Sequence, residues 1–333
     1  MAVMPVPKTT AKLALDRATP LLAWGAQAQR GQIVRWGVAV VAGLAVFGCA
    51  DRQVGGTVGV FGETGFGQGE FSYPRAIAIS PDRLVYVVDK TGRIQRFDAG
   101  GEWQTQWSMP KYKAGKPTGL TVDKAGRLFV ADTHYNRVMV FDRDGKVIGQ
   151  FGTQGRGDGQ FELPTDVAID GEGFVYVSEY GGNDRISKFT PDWKYVMSFG
   201  GPDSDTAALA RPSGLLFDDR GDLWVADACN HRICRFDRSS GRLLGTFGEL
   251  GDGPGRLSYP YDIDLLDDGT LLVCEYGNNR LQRFDRSGRS LGTWGIAGRR
   301  VGQLAYPWGL AVGPDRKVYV VDSGNNRIQI VMM

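Results

Sequence analysis

Groups able to do chemistry are few in this 333-residue chain. Its only histidines are His134 and His231, whereas a catalytic zinc takes three protein ligands and keeps an open position. The cysteines, Cys49, Cys229, Cys234 and Cys274, show no repeated Cys-x-x-Cys spacing such as a structural metal site uses. No Gly-x-Ser-x-Gly elbow occurs, and neither Ser213 nor Ser323 has a histidine partner at a fixed offset, so no nucleophile stands out. Carboxylates are the better candidates. Asp166 and Asp262 each lie two residues after a proline, and Glu179 and Glu275 follow them in the chain. Acids in such positions can ligate a hard cation or move a proton.

These acids belong to a repeat. Prolines 74, 117, 164, 212, 260 and 307 recur at steps of 43, 47, 48, 48 and 47 residues. Each is followed by two short apolar strands, the second ending in a carboxylate: Asp89, Asp132, Glu179, Asp227, Glu275 or Asp322. Arg93, Arg137, Arg185, Arg232, Arg280 and Arg327 come a few residues later. A carboxylate and an arginine recurring together in every unit mark structural pairing or loop capping. Asp166 and Asp262 escape that explanation, because the other units carry Ala76, Gly119, Gly214 and Gly309 at the same place.

A period of about 40 to 50 residues with strand signals is how a propeller blade is written. The second unit shows four strands: Gly119-Leu-Thr-Val122, Leu128-Phe-Val-Ala131, Val138-Met-Val-Phe141 and Val147-Ile-Gly-Gln-Phe-Gly152, parted by Asp/Gly turns. Such strands form antiparallel hairpins, and a four-stranded sheet must be covered by its neighbours on both faces. The sequence therefore predicts an all-β fold, a six-bladed β-propeller over residues 54–333. The last unit stops after its third strand at Ile330-Val-Met-Met333, while Thr57-Val-Gly-Val-Phe-Gly62 matches the fourth strands Leu244-Gly-Thr-Phe-Gly248 and Leu291-Gly-Thr-Trp-Gly295. The N-terminal strand is expected to complete blade 6 and leave no free edge.

The stretches Phe61-Gly-Glu-Thr-Gly-Phe-Gly-Gln-Gly-Glu-Phe-Ser-Tyr-Pro74 and Phe151-Gly-Thr-Gln-Gly-Arg-Gly-Asp-Gly-Gln-Phe-Glu-Leu-Pro164 resemble the linkers of NHL-repeat proteins. Asp322-Ser-Gly-Asn-Asn-Arg-Ile328 and Glu275-Tyr-Gly-Asn-Asn-Arg-Leu281 resemble the same repeat. Two places depart from it. Blade 2 is reached without a Gly-rich linker, and blade 1 reads Thr91-Gly92-Arg93 where the family has Asn before Arg. One side of the ring should have a different rim.

In a ring of blades, the loops leading to the innermost strands and those joining second to third strands open on one face around the channel, where ring folds place ligands. The post-proline residues there are Arg75, Thr118, Thr165, Ser213, Tyr261 and Trp308. Peptide-amidating lyases share this fold, and the resemblance implies zinc held by histidines, some just after the repeat proline. No post-proline residue here is His, so no metal ligand set is expected. Calcium-dependent lactonases, also six-bladed, keep calcium open as a cofactor, with Asp166 and Asp262 the candidate ligands or acid–base groups. The leading expectation is instead a binding face formed by Arg75, Tyr261, Tyr276 and Trp308, with His134 nearby. Rigid aromatics beside a cation suit a protein, peptide or glycan ligand.

Residues 1–48 hold five Lys/Arg and one acid, which leaves the remainder 34 basic and 36 acidic residues of the chain's 39 and 37. Without a concentrated positive surface, a nucleic-acid partner is not expected, although some NHL propellers bind RNA. Arg30 and Arg35 precede an uncharged, mostly apolar run of thirteen residues from Trp36 to Gly48. That suits a signal-peptide core and is short of the ~20 residues that span a bilayer. Val46-Phe-Gly-Cys49 resembles a bacterial lipobox, which implies lipidation at Cys49, a short tether over 49–53 and a monomeric propeller attached to a membrane of the bacterial cell envelope. An ordinary secretion signal and an uncleaved anchor are the alternatives. Residues 1–32 are long for a signal and carry Pro5, Pro7 and Pro20, as if translation began at Val34. Cys274 fills a slot held elsewhere by Val88, Ala131, Ser178, Ala226 and Val321 and reads as buried packing. Cys229 and Cys234 flank one loop, where a disulfide is open.

Overall fold

A computed structural model describes residues 53–333 apart from 114, 205, 206, 314 and 315. The targeting segment, Cys49 and the alternative start at Val34 lie outside the described residues. Six four-stranded antiparallel sheets form the blades. Their first strands are Pro74–Ile79, Gly119–Val122, Pro164–Ile169, Pro212–Phe217, Pro260–Leu265 and Gly309–Val312. Each first strand packs beside those of the neighbouring blades, so these six line the channel. Every residue of the second strands Val85–Asp89 and Leu128–Asp132 is buried, whereas the fourth strand Trp103–Ser108 alternates half-buried and exposed. Period-two alternation sends Tyr86 and Val88 to the interface with blade 2 and Val85 and Val87 to that with blade 6. The core is thus six layers, one between each pair of adjacent blades.

The ring closes as the sequence implies. Gly56–Phe61 pairs antiparallel with Arg327–Met332 and completes blade 6 as its outer strand. Phe61 then packs against Phe71 and Phe97 of blade 1, with ring centroids 6.4 and 4.9 Å away.

Each repeat carboxylate is paired with its arginine: Asp89–Arg93 and Asp132–Arg137 at 2.9 Å, and Glu179–Arg185, Asp227–Arg232, Glu275–Arg280 and Asp322–Arg327 at 2.7 Å. In five blades the pair also grips the linker leading into its own blade. The backbone N–H two residues before the proline donates to the carboxylate, from Ser72, Glu162, Ala210, Ser258 and Ala305. The arginine Nη2 donates to the carbonyl four residues before the proline, on Glu70, Gln160, Ala208, Arg256 and Gln303.

A second clamp joins blade to blade. Tyr73, Leu163, Arg211, Tyr259 and Tyr306, each just before a proline, hold left-handed φ of 47–54°, a conformation that costs a non-glycine residue about 1–2 kcal/mol. Their N–H groups are caught by side chains of the preceding blade: Asn326 Oδ1, Asn136 Oδ1, Asp184 Oδ1, His231 Nδ1 and Asn279 Oδ1. Between blades 1 and 2 the clamp slot is Gly92, which has no side chain. There His134 Nδ1 accepts from Lys116 N–H at 3.2 Å instead.

Deleting residues 54–62 should expose the edge of Arg327–Met332 and uncover Phe71 and Phe97. Loss of one buried Phe already costs about 3 kcal/mol. Denaturant unfolding of the truncated chain is expected to show at least that loss, or aggregation; melting unchanged from the full chain would contradict closure by this strand.

Candidate functional site

The loops leading into the first strands and those between second and third strands surround a cavity of about 250 Å³ at the channel mouth. The post-proline residues do not serve it alike. Thr118 Oγ1 donates to Thr165 O at 2.9 Å, Thr165 Oγ1 to Pro212 O at 2.7 Å, and Ser213 Oγ to Pro260 O at 3.3 Å. These three hydroxyls therefore stitch each blade to the next while also lining the cavity.

Arg75, Tyr261 and Trp308 line the cavity with larger side chains, from blades 1, 5 and 6. Tyr261 stacks on Tyr276 at 4.7 Å and meets Trp308 at 4.9 Å. Tyr276 lies edge-on to Trp308 at 5.6 Å, and the Arg75 guanidinium sits 4.1 Å from the Trp308 ring. The four residues thus form one half-buried sector. His134 lines the opposite part of the cavity, exposed, with its Nδ1 engaged by Lys116. Its pKa is lowered by burial, to which the charges of Lys116 and Arg75 add.

Two wall residues were not foreseen from sequence. Arg211 immediately precedes a repeat proline and Tyr180 follows a repeat carboxylate. The Arg211 guanidinium lies 4.9 Å from the Tyr180 ring and 5.3 Å from that of Tyr261. The signal for Arg211 was its place before the proline, next to residues already singled out.

Asp166 and Asp262 lie on the cavity floor with a third acid, Asp264, two residues beyond Asp262 on the same strand face. Their oxygens accept backbone N–H groups of neighbouring first strands: Asp166 from Leu215 at 2.9 Å, Asp262 from Leu310 at 2.8 Å, and Asp264 from Val312 at 2.7 Å. Burial raises all three carboxyls. Asp166 is pushed up to about 7 and Asp264 to about 6, and Asp262, which also faces the Asp166 charge, is raised well above the usual range. They touch the cavity and are only partly covered by area, but lie deep in the ring where the protein withholds solvation.

Among the described residues no three of His, Cys, Asp and Glu converge as a metal ion requires. The floor acids spend oxygens on backbone donors, so the donor set does not fit calcium. His231 in its turn accepts from Tyr259 N–H at 3.1 Å. Cys229 is exposed, Cys234 and Cys274 are buried, and all three are free thiols, so the open Cys229–Cys234 disulfide is not formed.

A carboxyl whose folded pKa stands above its unfolded value contributes stability that is whole below the unfolded value, about 4, and is lost as pH rises through the folded one. For Asp166 that window runs from there to about 7. Asp166→Asn keeps an oxygen for Leu215 N–H but cannot ionise. Urea unfolding at several pH values should therefore show the variant gaining on the natural chain between about pH 4 and 8; parallel profiles would contradict a buried, proton-retaining acid.

Comparison with known proteins agrees with this architecture. The NHL repeat model matches residues 209–236 and 304–331, and a 6-bladed beta-propeller model matches residues 115–183. The chain is 28% identical over 134 residues to the protein brain tumor of Drosophila melanogaster, covering 40% of this chain and 12% of that protein. It is 31% identical over 140 residues to peptidyl-glycine alpha-amidating monooxygenase B of Xenopus laevis, covering 38% and 16%. The chain therefore spans well under two thirds of either relative. A streptogramin B lyase structure superposes with a TM-score of 0.61 at 18% identity, over 82% of this chain and 96% of that one, a likeness of fold. The chain is a six-bladed β-propeller that carries NHL repeats.

Proposed function

We propose that this propeller is a recognition module that binds a protein, peptide or glycan ligand at the channel mouth, outside the cytoplasm and tethered by a lipid on Cys49. One observation carries the binding reading: Tyr261, Tyr276 and Trp308 gather within 4.7–5.6 Å of one another beside Arg75, half-buried around a cavity. Stiff aromatic surface that is already assembled binds with little loss of conformational freedom. The test is to screen the full chain against arrayed short peptides and oligosaccharides, then measure hits on Tyr261→Ala and Trp308→Ala. Affinity should fall by about 2 kcal/mol in each, the size of a buried aromatic anchor. A double variant that keeps full binding would remove the reading.

An enzymatic role is the second reading. It is favoured by the Asp166 carboxyl at about 7, the range that suits a general acid or base, and by likeness to an amidating monooxygenase. Against it, Asp166 already accepts Leu215 N–H on the floor. Turnover of any ligand that is lost in a folded Asp166→Asn variant would favour catalysis over recognition.

The anchor rests on the Val46-Phe-Gly-Cys49 motif after the apolar run. Acyl chains hold a protein to a bilayer independently of its fold. Cys49→Ser should move the protein from the membrane to the soluble fraction with unchanged melting; equal membrane retention would point to an uncleaved helix.

A further inference from the structure

We propose that the ligand of this mouth carries a carboxylate, held between Arg75 and Arg211, on a flat apolar body laid against Tyr261 and Trp308. This inference rests on the binding reading above and narrows it to one chemistry.

The argument begins with charge balance. Each repeat arginine is matched by a carboxylate within 2.9 Å. Arg75 and Arg211 line the cavity and, among the described residues, their guanidiniums meet aromatic rings rather than acids. Arg75 Nε is buried with no hydrogen-bond partner. Burial lowers the Arg75 pKa and the Arg211 charge lowers it further, against opposing effects of Tyr180, Tyr261 and Tyr276, so the two cations act on each other across the mouth. His134, whose pKa the Arg75 charge also lowers, adds a third basic group to the lining.

The acids closest to the cavity do not neutralise them. Asp166, Asp262 and Asp264 give oxygens to Leu215, Leu310, Val312 and their own strand's Ile263 and Leu265 N–H groups. Raised carboxyl pKa values keep part of that floor protonated near neutrality. The two guanidiniums, 4.1–5.3 Å from ring centroids, carry forked donors that suit a planar carboxylate. The walls between them are aromatic: Tyr261 and Tyr276 stack at 29°, with Trp308 tilted by 57° to Tyr261. An amide or a neutral sugar would leave both cations unpaired.

Calorimetric titration of the full chain with phenylacetate, phenylacetamide and inorganic phosphate tests this. Phenylacetate should bind about tenfold tighter than its amide and tighter than phosphate, and should lose about tenfold in Arg75→Gln and in Arg211→Gln, as loss of a charge-assisted bidentate contact implies. Arg75→Lys, which keeps the charge but not the fork, should fall between. The acid–amide comparison uses the natural chain, so it stands even if a variant fails to fold. Equal binding of acid and amide, with both lost in Tyr261→Ala, would overturn the carboxylate and leave the aromatic recognition reading intact. Binding of acid and amide that survives in Tyr261→Ala and in both arginine variants would overturn both. No binding of phenylacetate, or tighter binding of phosphate, would overturn the carboxylate.

Discussion

The buried carboxylate–arginine pair is the interaction on which the remaining structure hangs. Burying two charges costs several kcal/mol per ion unless the geometry is good and every remaining donor and acceptor is matched. In five blades the matching groups come from the linker: one amide two residues before the proline and one carbonyl four residues before it. Each of these five linkers buries one apolar side chain three residues before its proline, Phe71, Phe161, Leu209, Leu257 or Leu304; the ion pair orders the polar main chain around it, and the linker in turn completes the ion pair. Its last residue is thereby delivered to the left-handed turn that the previous blade clamps. Charge burial, linker path and rim position are one coupled arrangement.

Blade 2 shows what happens when one partner is missing. Pro164 stands thirteen positions after Phe151, but Pro117 only ten after the equivalent Trp107. With three residues fewer, the linker does not reach the pair. The two atoms left buried without hydrogen bonds are Asp132 Oδ1 and Arg137 Nη2, the same two positions that linker main chain satisfies elsewhere. Burial raises the Asp132 pKa despite its arginine, as it does those of Glu179 and Glu275 in blades whose linker is complete. The same junction has lost its clamp as well, since Gly92 stands in the Asn slot and His134 takes over by binding Lys116. A histidine that looked like a ligand candidate is thus also a repair of the local geometry.

Repetition made the fold legible. Six copies of one pattern average away the ambiguity of any single strand, and the fourth strand missing from the last unit is matched by residues 57–62 at the other end of the sequence. Site legibility was partial, for a physical reason. Arg75, Tyr261 and Trp308 stand directly after a repeat proline and Tyr276 directly after a repeat carboxylate, register positions that open on the mouth, so the repeat itself placed them. Thr118, Thr165 and Ser213 are small, and their direction depends on a carbonyl of the next blade, which no pattern within one repeat displays. Arg211 was hidden because its position before the proline is mostly occupied by Tyr or Leu serving the turn. Asp264 follows Asp262 at the spacing that returns to the same strand face, and that period could have revealed it.

The floor acids are best understood together with the glycines beside them. Around the ring, the second residue after each proline reads Ala76, Gly119, Asp166, Gly214, Asp262, Gly309. A Cβ at Gly119 would lie 2.6 Å from Asp166 Oδ1, and one at Gly214 would lie 2.5 Å from Asp262 Oδ1. At Gly309 it would come within 3.1 Å of Asp262 Oδ2. Each acid therefore needs a neighbour without a side chain in order to reach over and accept the N–H of the next first strand. First strands are the inner edges of their sheets, and their free N–H groups would otherwise face the channel unpaired. Acids and glycines alternating at this level line the channel with small groups and backbone bonds, and the cavity continues past them to Ile79, Val122 and Val312. The same substitution pattern that satisfies the strand edges thus shapes the wall of the space that a ligand entering past Arg75, Tyr261 and Trp308 would meet.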